Sequence, residues 1–302
     1  MANLDLCAPA ADPGPRHLTW QAADGLILSA TAWEPLDPAP DAQPVLCLPG
    51  LSRNARDFAA LAGTLRDHGH LVVCMDYRGR GRSQRDPDWR NYSIEREADD
   101  IDRGLAALGL GRVVIVGTSR GGLHAMLLAW RHPHSVAGLV LNDIGPSIER
   151  DGLRRLCKTI GRDMEAADWQ TAADKLRSTL DHQYPGMSAE GWLRLARQLY
   201  VDTAPGPGVR LDYDETLCHA LADFNPDAEV PDFWPVFDAV TQVPMLLLRG
   251  AHSDILSAET MTEMQRRHPG AQALTVPDEG HAPLLWDPLT QRTIAEFARR
   301  CT

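Results

Sequence analysis

The sequence predicts an α/β fold in which a mostly parallel sheet, covered by helices on both faces, is interrupted by a helical insertion. Three observations lead there. Short apolar runs such as "VLCLP", "LVVCMD" and "VVIVG" alternate with longer amphipathic segments, the pattern of strands buried on both faces and joined by crossover helices. The alternation stops near Ile144 and resumes near Val243. Between those points the apolar residues recur at helical spacing.

Taken in order, the first twenty or so residues are rich in Ala and Pro and read as disordered. "HLTWQAADGLILSATAWEP" alternates apolar and polar positions around Asp24-Gly25, the signature of a hairpin. "PVLCLPG" is a short buried strand. In "RDFAALAGTLRDHGH", Phe58, Leu61 and Leu65 fall on one helical face and Gly69 ends the helix. "LVVCMD" is the next strand, followed by the loop "YRGRGRSQRDPDWRNYS". "IEREADDIDRGLAALGLG" is an amphipathic helix closed by glycine, and "VVIVG" a strand. "RGGLHAMLLAWRHP" is a helix ending at Pro133, and "VAGLVLND" is a sixth strand. Four helical segments and no strand are read between about Ile144 and Phe237. "VPMLLLRG", "AETMTEMQRRHP", "AQALTVPD" and "DPLTQRTIAEFARR" then restore the strand–helix alternation.

A chain of 302 residues accommodates such a domain with an inserted block. The net charge of −11 argues against nucleic acid and anionic membrane as partners, since both reward clustered cations. No apolar run approaches the length of a membrane helix. "MANLDLCAPAADPGP" has neither the basic start nor the apolar core of a signal peptide. Six scattered cysteines (Cys7, Cys47, Cys74, Cys157, Cys218, Cys301) lack the spacing of a zinc site, and Cys47 and Cys74 lie in strands. They read as small buried hydrophobes in a reducing cytoplasm. No metal or organic cofactor is expected.

Chemistry enters at "VVIVGTSRGG". A strand that turns sharply into a helix strains the turn residue and crowds its neighbours, which Gly117 and Gly121 relieve on either side of Ser119. The turn presents the Ser119 hydroxyl at the carboxyl edge of the sheet, next to a helix N-terminus. A serine hydroxyl is a weak nucleophile at neutral pH and needs a base and a group that orients the base. Two later strands are followed by suitable loops: "RGAHSDIL" carries Asp254, and "DEGHAPLL" carries His281. Ser119 is therefore the expected nucleophile, His281 the base and Asp254 the orienting acid. Asp143, at the end of the sixth strand, ranks second for the acid, with a purely structural role as its alternative. Asp278 and Glu279 lie too near His281 in sequence to orient it. The oxyanion hole is expected from the amides of Arg120, after the nucleophile, and Leu51, in the loop "CLPGLSRN".

Together "GTSRGG", "LPGLSRN", "DYRGRGRS", "RGAHSDIL" and "EGHAPLL" resemble the α/β-hydrolase superfamily, in the branch with a helical cap after the sixth strand. The resemblance runs from about His17 to the end. It implies an α/β-hydrolase fold with an eight-stranded, mostly parallel sheet: core 1–144, helical cap 145–237 and core 238–302. It also implies cofactor-free hydrolysis through an acyl-serine, with the pocket between cap and core. Two departures stand out. Pro49 occupies the oxyanion loop where relatives often have His, and Arg120 follows the nucleophile where they often carry an apolar residue. "DYRGRGRS" matches a structural loop beside the active site. Serine in place of an aspartate nucleophile disfavours dehalogenase and epoxide hydrolase chemistry.

The expected partner is a small-molecule ester or lactone with apolar groups, and a homodimer is left open. Substrate selection is assigned to the insertion, which carries Trp169, Tyr184, Trp192, Tyr200, Phe224, Phe233, Trp234 and Phe237. Most of these fit the cap's own core. Trp234, together with Arg53 beside the oxyanion loop, is expected to face the substrate. The alternatives are a carbon–carbon bond hydrolase, in which a cap arginine such as Arg154, Arg155, Arg194 or Arg197 holds the substrate carboxylate, and a weakly hydrolytic ligand receptor.

Overall fold

A computed structural model describes residues 14–203, 206–222 and 232–301. The Ala/Pro-rich start with Cys7, and Phe224 in the insertion, lie outside the described residues. In chain order the first strands are β1 (Arg16–Gln21), β2 (Ile27–Trp33), β3 (Val45–Leu48), β4 (Val72–Asp76), β5 (Val113–Thr118) and β6 (Val136–Asn142). The start read as disordered is thus already strand from Arg16. Helices α1 (Ala59–Asp67), α2 (Ile94–Ala107) and α3 (Arg120–Arg131) connect the parallel strands. After the insertion come β10 (Met245–Gly250), α9 (Ala258–Arg267), β11 (Gln272–Val276) and α10 (Pro288–Arg300).

Eight strands form one sheet in the order β1-β2-β4-β3-β5-β6-β10-β11. The β1–β2 and β2–β4 pairs are antiparallel, and every pair from β4 to β11 is parallel. The continuous apolar runs follow from burial on both faces. In β3, Leu46 and Leu48 join the core on one side, while Val45 and Cys47 join the core on the other. A two-residue period with both phases buried leaves no polar face to alternate.

The insertion holds α4 (Arg150–Thr159), α5 (Trp169–Leu180), α6 (Ala189–Leu199), α7 (His219–Ala222) and α8 (Trp234–Ala239). It also contains strands where none was expected: β7 (Glu165–Ala166), β8 (Tyr200–Asp202) and β9 (Val209–Leu211), paired antiparallel in the order β7-β9-β8. Pieces of two or three residues are too short for a strand period to register in the sequence. Buried Trp192, Tyr184, Leu195 and Tyr200 give the block a core of its own. Among the described residues no helix is long and apolar enough to cross a membrane.

Candidate active site

Ser119 sits between β5 and α3 with φ 52° and ψ −115°, a positive-φ conformation that costs a non-glycine residue roughly 1–3 kcal/mol. The glycines on either side answer to crowding. A Cβ at Gly117 would stand 2.4 Å from the carbonyl oxygen of Gly121, and one at Gly121 would stand 2.0 Å from that of Leu48. The strained turn brings the Ser119 Oγ to 2.9 Å from His281 Nε2.

The acid is where the structure departs from expectation. His281 Nδ1 lies 2.7 Å from Oδ2 of Asp143, which follows β6 and is fully buried. Asp143 also accepts from the Gly250 amide at 2.8 Å and from Ser253 Oγ at 2.6 Å. Asp254 is engaged elsewhere: Arg155, on α4, donates to it through Nε at 2.6 Å and Nη2 at 2.8 Å. Burial alone would raise the Asp254 carboxyl, but Arg155 and the nearby His281 hold it below the usual range. Asp254 is thus half of a bidentate ion pair, and the carboxylate on the imidazole is the second-ranked Asp143. With Nδ1 donating to Asp143, Nε2 is left as the acceptor facing the Ser119 hydroxyl.

A cavity of about 580 Å³ opens over Ser119 and His281, within the range of small-molecule sites. Gly50, Leu51 and Arg53 contribute one wall, and the insertion contributes Leu156, Ile160, Leu176, Tyr184 and Tyr200. The loop carrying Leu51 passes close to the nucleophile: a Cβ on Gly50, the residue before Leu51, would lie 3.8 Å from that of Ser119. Among the described residues no protein group accepts from the amides of Leu51 or Arg120. Arg53 lines the cavity as expected, its guanidinium paired with Asp57 at 2.6 Å. Trp234 does not. It stands in the first turn of α8, edge-on to Phe237 at 5.7 Å and stacked by the Arg267 guanidinium at 4.0 Å. The chain returning to β10 lays this apolar turn against the flank of the main core, away from the cavity.

The family model for the alpha/beta hydrolase fold matches residues 43–288. The chain belongs to that family. A 3-hydroxybutyrate-oligomer hydrolase of Cupriavidus necator is 32% identical over 257 residues, covering 83% of this chain and 86% of that protein. An alpha/beta hydrolase from Novosphingobium aromaticivorans has a crystal structure with TM-score 0.87 at 38% identity, spanning 95% of this chain and 98% of the other. The structure of E-2-(acetamidomethylene)succinate hydrolase, at 23% identity and TM-score 0.75, spans 94% and 100% and shares the fold.

Within this hydrolase fold, several buried polar groups that sequence reasoning missed hold the site in place. Gln183, from the insertion, accepts from the His281 amide at 2.6 Å, and the Tyr184 hydroxyl donates to the Ala282 carbonyl at 2.8 Å. Buried Glu97 takes Arg120 Nε at 2.6 Å and faces Arg80 Nη1 at 2.9 Å. Arg80 Nε in turn donates to the Leu51 carbonyl at 2.8 Å. One carboxylate thereby braces both segments expected to supply the oxyanion amides. "DYRGRGRS" is the structural loop it resembles, since Arg78 is equally buried against Asp100, Asp24 and Asp86. Burial alone would raise the Glu97 carboxyl, but the Arg120 and Arg80 guanidiniums hold it far below the usual range. Removing one partner of such a buried set typically costs about 3–5 kcal/mol. Glu97→Gln is expected to lose that much in urea denaturation.

Glu279 shows the opposite shift. Burial pushes its carboxyl up to about 7, although the Leu284 amide donates to it at 2.6 Å. A folded-state pKa above the ordinary value favours the protonated form. Its contribution to stability is fully present below the ordinary carboxyl range and is lost as pH rises through about 7. The neutral isostere Glu279→Gln escapes that loss. Its melting temperature relative to the parent is expected to climb between pH 5 and pH 8.5, and calorimetry across that range checks it.

Proposed function

We propose that this protein is a serine hydrolase of carboxylic esters or lactones, with Ser119, His281 and Asp143 as its catalytic residues. The observation that carries the reading is the continuous path from the Ser119 hydroxyl through the imidazole to a buried carboxylate at the floor of a cavity. His281 takes the proton as Ser119 attacks the carbonyl, and Asp143 fixes the tautomer and stabilises the imidazolium. The amides of Leu51 and Arg120 receive the developing oxyanion. Collapse returns the proton to the leaving alcohol, and water then attacks the acyl-serine with the same base. The block 145–237 acts as the cap that selects substrate, because α4 and α5 supply much of the cavity wall. The C. necator relative, named as a hydrolase of 3-hydroxybutyrate oligomers, supports ester cleavage.

The carbon–carbon reading calls for a cap arginine holding the substrate carboxylate. Of the four arginines named for that role from the sequence, Arg155 lines the cavity, and its guanidinium is committed to Asp254, although Arg162 of the insertion lines the cavity as well. Ester cleavage is favoured instead by the similarity to the 3-hydroxybutyrate-oligomer hydrolase of C. necator. Parallel assays with 4-nitrophenyl butyrate, a small lactone and a vinylogous 1,5-diketone separate the readings. Turnover of the ester or lactone without cleavage of the diketone is the expected result. Diketone cleavage alone would move the assignment to carbon–carbon chemistry, and negligible turnover of all three would move it to a receptor.

A further inference from the structure

The chain contains 30 lysines and arginines, and only two of them are lysines, Lys158 and Lys175. Both line the cavity over Ser119. Around them the charge runs against that of the whole molecule, which carries −11. The cavity wall holds five cations, Arg53, Arg155, Lys158, Arg162 and Lys175, and two acids, Asp57 and Asp163. Arg53 is neutralised by Asp57 and Arg155 by Asp254. Lys158, Arg162 and Lys175 are then set against Asp163 alone, and the rim is left positive. Lys175 Nζ donates to the Glu165 carbonyl at 2.8 Å. That oxygen is neutral, so the ammonium keeps its charge and its two other donors.

The choice of lysine is itself informative. The cavity arginines lock into planar, bidentate pairs with Asp57 and Asp254. A lysine ammonium is a compact charge with rotatable donors on a flexible stem. It suits a carboxylate whose position varies from one bound chain to the next. Apolar Leu156, Leu176 and Leu180 lie in the same wall as the two lysines, which suits an aliphatic chain with an anionic end.

We infer that Lys158 and Lys175 form an anion subsite at the cavity rim, so that the preferred substrates are aliphatic esters bearing a free carboxylate remote from the scissile bond. This rests on the ester-hydrolase reading. A linear oligoester of a hydroxy acid has such an end, as does a monoester of a dicarboxylic acid. Partly screened cations supply modest attraction each, and two together account for about a tenfold preference that weakens with salt.

The test uses a matched pair, the mono-4-nitrophenyl ester of adipic acid and its methyl-capped neutral counterpart. The parent should favour the anion in kcat/KM. The ratio of anionic to neutral kcat/KM should fall about tenfold in Lys158→Gln/Lys175→Gln, and Lys158→Arg/Lys175→Arg should retain most of it. Calorimetric binding of monomethyl adipate to Ser119→Ala forms of the parent and the Gln pair reads the subsite without turnover, with melting temperatures confirming that both are folded. Tighter binding of the monoester anion by the parent supports the subsite even if no ester is hydrolysed, an outcome that would count against the hydrolase reading alone. An unchanged ratio, or equal binding of the anion by parent and Gln pair, would overturn the proposal.

Discussion

Ser119→Ala is expected to lower kcat on 4-nitrophenyl butyrate by about 10⁵–10⁶-fold, the scale at which removal of a triad nucleophile leaves only oxyanion stabilisation and binding. The loss should fall on kcat with little change in KM, because the missing oxygen forms a bond only during reaction. Stability should be nearly untouched. Alanine keeps the same Cβ, so the positive φ at this turn and the close approaches at Gly117 and Gly121 are unaltered. Rapid-quench kinetics together with a thermal melt check both halves. Residual turnover near the parent level would mean that the hydroxyl 2.9 Å from His281 is not the attacking group.

The second large effect separates two aspartates that the sequence presents alike. Asp143→Asn should cost about 10⁴-fold in kcat, because the amide no longer enforces the Nδ1–H tautomer and leaves the imidazolium uncompensated. Gly250 and Ser253 also bond this side chain, so part of the effect will be geometric. Asp254→Asn should change kcat by less than about tenfold, since its carboxylate is occupied by Arg155 and no hydrogen bond joins it to His281. Steady-state kinetics of the two variants side by side decide it. A larger loss at Asp254 would restore the acid expected from the loop after β10.

The contrast shows what a chain reveals about such a site. Ser119 is legible because its requirements are local: a β-branched strand before it, a helix after it, and glycines two residues away on each side. His281 is legible because it follows a late strand in a short loop. Asp143 and Asp254 satisfy the same local description, each in a loop after a parallel strand. What distinguishes them is Arg155, 99 residues from Asp254 and in the inserted block. Gln183 and Glu97 were equally out of reach. A glutamine in the turn after α5, or a glutamate inside α2, gives no sign of which distant amide or guanidinium it will meet. The main sheet, with strands of four to seven residues, was visible as far as its order of appearance. The two- and three-residue strands of the insertion were not. Trp234 shows the complementary ambiguity, since an aromatic residue in an insertion fits a cavity wall or a core, and here the half-buried ring packs on the flank of the main core with Arg267 stacked over it.

Covalent labelling with a fluorophosphonate, read by peptide mass spectrometry, tests most directly whether this serine, imidazole and carboxylate act as one unit. Trypsin releases residues 113–120 as a single peptide containing Ser119. The expected result is one adduct per chain, on that peptide, at a rate that collapses in Asp143→Asn and persists in Asp254→Asn. An adduct elsewhere, or a rate that depends on Asp254 and not on Asp143, would contradict the account.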